Sequence, residues 1–386
     1  MARLLRNTEP ALRHGWHPVA LAAEVGGVPL QVRLLGEPWV VARLGEALVA
    51  FADRCPHRFA PLSTGRVDDG ELVCGYHGWR FGSAGVCTVI PALGAGVPPP
   101  RRARATPAWG VAERHGLVWI APAQPVADLI DLPDADMPGF DAMWLPPTLS
   151  TACAGLLADN FLDTAHFPFV HAATIGAGED TRVAPYRVQP DGPGFVVRMD
   201  QEVANPEDPL VATGEHPRVQ RRRSTYAYQP PFMLRLRLEY PDAATTSTIL
   251  FCLQPQDEHA TRIFTLLLRD DLGGDPARMA EAIAFEQAVL DEDLALLERF
   301  DLAGLPLPGT DDASGDGRTP GRRRRCADGG WTGGEGWAGE DVSIRADAAG
   351  VALRRALAEL VARRGSLDGA DAPPDQATTL PAATRS

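Results

Sequence analysis

The segment CPHRFAPLSTGRVDDGELVCGYH, residues 55–77, carries two cysteines and two histidines in two short sets, Cys55 with His57 and Cys74 with His77. Thiolate and imidazole set together in loops of this kind are metal ligands, and the spacing separates zinc from iron. Structural zinc sites place paired ligands about two to four residues apart, which Cys74 and His77 satisfy. Cys55 and His57, with only Pro56 between them, do not. An iron–sulfur centre with two cysteines on one iron and two histidines on the other needs one Cys and one His from each loop, and both loops have that composition. Gly75 and Gly78 would let backbone amides approach bridging sulfides, and Tyr76 and Trp79 would cover them.

The four residues resemble the Rieske [2Fe-2S] motif, C-x-H followed by C-x-x-H. A zinc module remains the alternative and predicts a colourless protein. An electron carrier would not need the long remainder of the chain.

A second constellation lies in DNFLDTAHFPFVH, residues 159–171, where Asn160, Asp163, His166 and His171 stand among apolar residues. The run from residue 150 to 172 reads as helical, which would place Asp163 and His166 on one side. Pro168 cannot continue a regular helix, because its ring clashes with the carbonyl of Thr164, and a kink there could bring His171 beside His166. Two imidazoles and one carboxylate with open positions describe a non-heme Fe(II) site. The same segment also suits a helix with two hydrogen-bonded core histidines.

The third ligand is sought on the amphipathic segment 276–300, which opens with Pro276 at a favoured first helical position. At about 100° per residue, Asp293 falls at the centre of the apolar face, flanked by Val289, Leu290, Leu296 and Leu297. Glu292 falls at the edge and Asp291 points away. A lone carboxylate among aliphatic side chains calls for a cation. Asp293 is therefore the expected ligand, with Glu286 as runner-up.

The elements that must position these groups come in two blocks. Residues 16–121 read as short strands (PLQVRLLG, PWVVARLG, ALVAFAD, ELVCGYH, GLVWIAP) of a small antiparallel β domain. A Pro- and Asp-rich linker, QPVADLIDLPDADMPGFD, follows. Later strands are GFVVRMDQEV, MLRLRLEY, TSTILFCLQP and RIFTLLLRD, and Phe232, Met233 and Phe251 on or beside them are pocket candidates better suited to core packing. The stretch 308–339, rich in Gly, Asp and Arg and containing Arg322–Arg325, reads as a flexible insert, residues 346–364 as a helix ending at Gly365, and 365–386 as a disordered tail. The expected domains are 14–124 and 125–364, in an α+β chain.

Composition narrows the functions. A net charge of −13 and a pI near 5.2 argue against nucleic acid as the main partner. Every basic residue is arginine, which excludes lysine Schiff bases and phosphate-loop lysines. The cysteines Cys87, Cys153, Cys252 and Cys326 are scattered rather than framed for disulfides. With neither a leader nor a membrane-length apolar run in the sequence, a reducing cytoplasm is expected.

With both sites in view, the chain resembles the oxygenase α subunits of Rieske non-heme iron oxygenases, over residues from about 14 to 364. The resemblance rests on CPH with CGYHGW, on N-x-x-D-x-x-H-x-x-x-x-H from Asn160 to His171, and on EDLALLE from Glu292 to Glu298. It implies a Rieske β domain followed by a helix-grip catalytic domain, and a [2Fe-2S] cluster on Cys55, His57, Cys74 and His77. It also implies Fe(II) on His166, His171 and Asp293, with Asn160 in support. By the same resemblance the subunits form a homotrimer, in which Asp163 bridges His77 of one subunit to His166 of the next for electron transfer. The reaction would use O2 to hydroxylate or demethylate a small organic substrate. Since no G-x-G-x-x-G turn opens a helix after a strand, electrons would come from a separate NAD(P)H-dependent reductase, with or without a ferredoxin. The competing class is a Rieske electron carrier or redox sensor whose second domain only binds a ligand. Three irons per chain support the oxygenase, two the carrier.

Overall fold

The fold was obtained as a computed structural model, which describes residues 3–176, 181–205, 209–300, 302–308, 342–367 and 378–379. The expected insert lies almost wholly outside the described residues, as does most of the tail.

The first block is built of short antiparallel strands: β1 (Arg3–Leu5), β2 (His17–Leu21), β3 (Leu30–Leu34), β4 (Glu37–Leu44), β5 (Ala47–Ala52), β6 (Arg66–Asp68), β7 (Glu71–Val73), β8 (Arg80–Phe81), β9 (Cys87–Val89), β10 (Gly110–Arg114) and β11 (Leu117–Ala121). One sheet is β3-β4-β5, a second is β6-β7-β8-β9, and β2 joins the β10–β11 hairpin. The turns between strands are set by residues that accept positive φ, such as Leu35–Gly36, Asp69–Gly70 and His115–Gly116. The two cysteine–histidine loops leave the ends of β5 and β7, so both are held by sheet that shares one small core around Val40, Phe51, Leu62, Leu72 and Phe81.

In the second block, β12 (Asp141–Trp144), β13 (Thr148–Ser150), β14 (Arg187–Asp191), β15 (Gly194–Ala204), β16 (Val219–Gln229), β17 (Met233–Tyr240), β18 (Thr245–Asp257) and β19 (Ala260–Arg269) form one antiparallel sheet. Its order is β12-β19-β18-β17-β16-β15-β14, with β13 also paired to β19. The helices are α1 (Ala154–Leu162), α2 (Phe167–Val170), α3 (Pro209–Thr213), α4 (Pro276–Leu297) and α5 (Ala348–Leu367). α1 packs on β18, α4 and α5, which is the α+β arrangement expected. Two short strands complete the set: β20 (Leu305–Leu307) pairs with β1, and β21 (Thr378–Thr379) with β10. No helix among the described residues is long and apolar enough to cross a membrane.

β18 is buried along most of its length because both faces are covered. Ile249, Phe251 and Leu253 face the helices, while Leu250 and Cys252 face Trp16, Trp119 and the segment after β11. That segment is no free linker. Leu129, Ile130 and Leu132 are buried against the sheet, and Asp134 accepts from Arg237 Nε at 2.9 Å and Thr248 Oγ1 at 2.6 Å. Asp128 and Asp131 stay exposed while Leu129, Ile130, Leu132 and Asp134 turn inward. α5 also differs from expectation, continuing through Gly365 to Leu367, because glycine permits a helix end without imposing one.

Candidate active site

α1 buries Ala154, Leu156, Leu157, Ala158 and Leu162 and ends at Asp163, whose backbone turns extended at φ −85°, ψ 124°. There Asp163 Oδ1 accepts from Ala165 N–H at 2.7 Å, a local bond that competes with helix continuation. The chain resumes as α2, with Pro168 in its first turn, where the missing N–H costs no helical bond. The expected single helix kinked at Pro168 is thus two helices broken at Asp163. Asp163 and His166 do not share a helical face; the turn itself brings Oδ2 within 3.4 Å of His166 Nδ1.

The break and α4 bring three groups together. His166 Nε2 lies 3.2 Å from His171 Nε2, and Asp293 Oδ1 lies 3.4 Å from the first and 3.2 Å from the second. Ligand atoms about 2.1 Å from one metal, at angles near 100°, stand about 3.2 Å apart, so the trio has the dimensions of a facial metal site. Three lone-pair donors aimed at one point also repel unless a cation joins them, so the donor set fits a metal. Burial depresses His166, but the bonds to Asp163 and Asp293 outweigh it and hold the imidazole up at about 9. His171 is raised too, by Asp293 and Glu292 against burial. Burial pushes Asp293 up, yet the two histidines prevail and bring it down to about 2.

Further partners fix the ligand orientations. Asn160 Nδ2 donates to Asp293 Oδ1 at 2.9 Å. Glu292 Oε2 accepts from His171 Nδ1 at 2.9 Å and from Thr174 Oγ1 at 2.8 Å. Sequence reasoning gave Glu292 no role; its place at the edge of the apolar face, next to Asp293, was the available signal. Glu286 lines the cavity but does not join the trio. The buried stripe of α4 is Ala282, Leu290, Leu294 and Leu297, whereas Leu296, expected beside Asp293, is 43% exposed.

The trio opens on a cavity of about 140 Å³ between α4 and the sheet, walled by Phe161, Leu236, Ile249, Phe251 and Leu290. Phe161 stacks on Phe251 with ring centroids 4.8 Å apart. Of the earlier pocket candidates, Phe251 lines this space, while Phe232 and Met233 are core residues.

The two loops of the first block mirror each other. Cys55 N–H donates to Ala60 O and Phe59 N–H to Cys55 O; Cys74 N–H donates to Trp79 O and Gly78 N–H to Cys74 O. Phe59 and Gly78, each four positions past its cysteine, take positive φ values of 60° and 68°. A Cβ on Gly75 would fall 2.8 Å from Thr64 O, so only glycine fits beside Cys74. Both cysteines are buried, and burial, with Cys74 nearby, pushes the Cys55 thiol up to about 11. His57 and His77 meet edge to face at 4.5 Å, Trp79 stacks on His57 at 4.6 Å, and Tyr76 lies against His77 at 3.8 Å. His57 Nδ1 is buried without a hydrogen-bond partner, as a nitrogen meant for a metal would be. These residues fit an iron–sulfur cluster.

Comparison with known proteins agrees on both blocks. Residues 15–107 match the Rieske [2Fe-2S] domain, and residues 150–363 match the vanillate O-demethylase oxygenase C-terminal domain. The chain belongs to the Rieske non-heme iron oxygenases. It is 29% identical over 308 residues to methylxanthine N1-demethylase of Pseudomonas putida, covering 76% of this chain and 83% of that one. It is 31% identical over 301 residues to methylxanthine N3-demethylase of the same organism, covering 74% and 81%. The structure of the N1-demethylase with caffeine superposes with a TM-score of 0.75 at 26% identity, covering 94% of this chain and 95% of that one. The oxygenase therefore carries a [2Fe-2S] cluster and a mononuclear iron. It is the O2-using component of a system that also includes a reductase, and it hydroxylates or demethylates a small organic substrate.

Proposed function

We propose that this oxygenase holds its mononuclear iron on His166, His171 and Asp293 and its cluster on Cys55, His57, Cys74 and His77, and that it removes a methyl group from a small aromatic or heterocyclic compound. The observation that carries the reading is the meeting of two imidazole nitrogens and one carboxylate oxygen within 3.4 Å at the end of an apolar cavity. Demethylation is favoured over plain hydroxylation because the relatives covering most of the chain are named demethylases.

When bound, the two metal centres supply single electrons and O2 activation. The protein's own groups set the conditions. Glu292 accepts the hydrogen bond of the His171 Nδ1–H and Asp163 that of the His166 Nδ1–H, so each ring turns its Nε2 lone pair toward the site. Asn160 pins the Asp293 carboxylate, and the Phe161–Phe251 stack keeps water from the reacting end. Demethylation would consume O2, two electrons and two protons, and would release the demethylated product, formaldehyde and water.

The electrons are assigned to a separate NAD(P)H-dependent reductase, with or without a ferredoxin. The half-exposed carboxylate of Asp163 and the exposed ring of His77 support a homotrimer in which the two meet across subunits. The domain division near residue 124 is supported by the change of sheet after β11. A reducing cytoplasm is supported by the buried free thiols of Cys87, Cys153 and Cys252.

Asp293→Ala tests the assignment. Iron should fall from three to two per chain and formaldehyde release by more than about a hundredfold, with the cluster's visible absorption unchanged. A variant that keeps three irons and turns over would remove Asp293 from the ligand set.

A further inference from the structure

The cavity walls differ along their length. Most of the wall is apolar, but Asn160 stands beside the trio and Arg222 enters from β16. Alternation puts Gln220, Arg222, Ser224 and Tyr226 on the same face of that strand. Tyr226 is four residues from Arg222, about 13 Å along the strand. Phe161, the neighbour of Asn160, meets Tyr226 edge to face at 6.2 Å. Contacts thus lead from the trio through Asn160 and its neighbour Phe161 to Tyr226, and the same face of the strand carries on to Arg222.

Arg222 is the unmatched member of its triplet. Arg221 and Arg223 point outward and each has a carboxylate, Asp242 at 2.7 Å and Asp200 at 3.0 Å. Arg222 points inward, its Nη2 donates to the neutral Gln201 Oε1 at 3.1 Å, and its Nε is buried with no partner. No carboxylate among the described residues pairs with it. Ser224 Oγ, next on the same face, is also buried without a partner. Glu286 reaches the cavity from α4 and is engaged in an interaction of its own. A guanidinium facing an apolar cavity without an acid is costly, and its planar fork is complementary to a carboxylate.

We infer that Arg222 is the acid-binding residue of this cavity and that the substrate class is an aromatic carboxylate. The ring lies between the Phe161–Phe251 pair and the aliphatic wall, the acid on Arg222, and the methyl-bearing end at the trio. This orientation rests on the placement of the iron site proposed above.

The test is calorimetric binding to the iron-loaded protein without reductant, using 4-methoxybenzoate and its neutral near-isostere 4-methoxybenzamide. The acid should bind at least about tenfold tighter than the amide. Arg222→Gln should bring the two to parity with three irons still bound per chain, and Arg222→Lys should keep part of the preference. Equal affinities in the wild type, including no measurable binding of either, would overturn the inference, as would an Arg222→Gln variant that keeps the preference. An error in the iron assignment would show separately, in the metal content of Asp293→Ala.

Discussion

At the residue scale, the site is a set of proton acceptors that agree on where positive charge belongs. Glu292 holds His171 from behind, and outer partners of metal-bound histidines contribute about 10- to 100-fold in metal affinity. Glu292→Ala should accordingly lose iron to a chelator that leaves the wild type loaded, and equal retention would deny Glu292 a positioning role. Proton competition gives a second test. His166, held up at about 9 without metal, must lose its proton to bind one. Divalent metal affinity of the iron-stripped protein should therefore rise from pH 6 to about 9 and then level, which titration with Co(II) would follow. The sign for folding is opposite. The raised pKa stabilises the metal-free fold below the unfolded value of about 6.5, and that contribution is lost as pH rises through about 9.

At the element scale, the loops and the broken helix do the positioning. Gly75→Ala would drive a methyl group against Thr64 O and shift the turn that carries Cys74 and His77. The expected variant is bleached of cluster absorption while keeping its mononuclear iron; retained colour would mean that the loop tolerates the side chain. Much of this site was legible beforehand. The spacing of the paired Cys and His residues marked the proposed cluster loops, and the helical wheel singled out Asp293, which the structure brings to the two histidines, because a solitary acid on an apolar stripe is conspicuous. For Glu292 the edge of the stripe was only a hint, since its contact depends on where His171 arrives from a different element. The helix end was misplaced because Pro168 is a stronger breaker in a helix interior than the Asp163 turn, yet it is harmless in a first turn. β16 also escaped notice, because three consecutive arginines hide an alternating pattern that shows only once the strand is paired.

At the scale of the whole molecule, one short pairing fastens the start of the described fold to a strand that follows α4. β1 lies antiparallel to β20, with Arg3 opposite Leu307 and Leu5 opposite Leu305. Leu5 is 2% exposed within the main core, and the close approach of Gly304 to Leu5 O leaves no room for a side chain. Leu5→Ala should cost about 2–5 kcal/mol, read as a lower denaturant midpoint with unchanged iron content. A loss below about 0.5 kcal/mol would show that the core closes without this strand.

That pairing also governs timing on the ribosome. Residues 3–5 leave the ribosome roughly 15–60 s before 305–307 do at the usual pace of synthesis, and until then β1 has no strand to pair with. Throughout that interval Leu5 belongs to a nascent chain without the strand that covers it, so this stitch waits for translation rather than for diffusion.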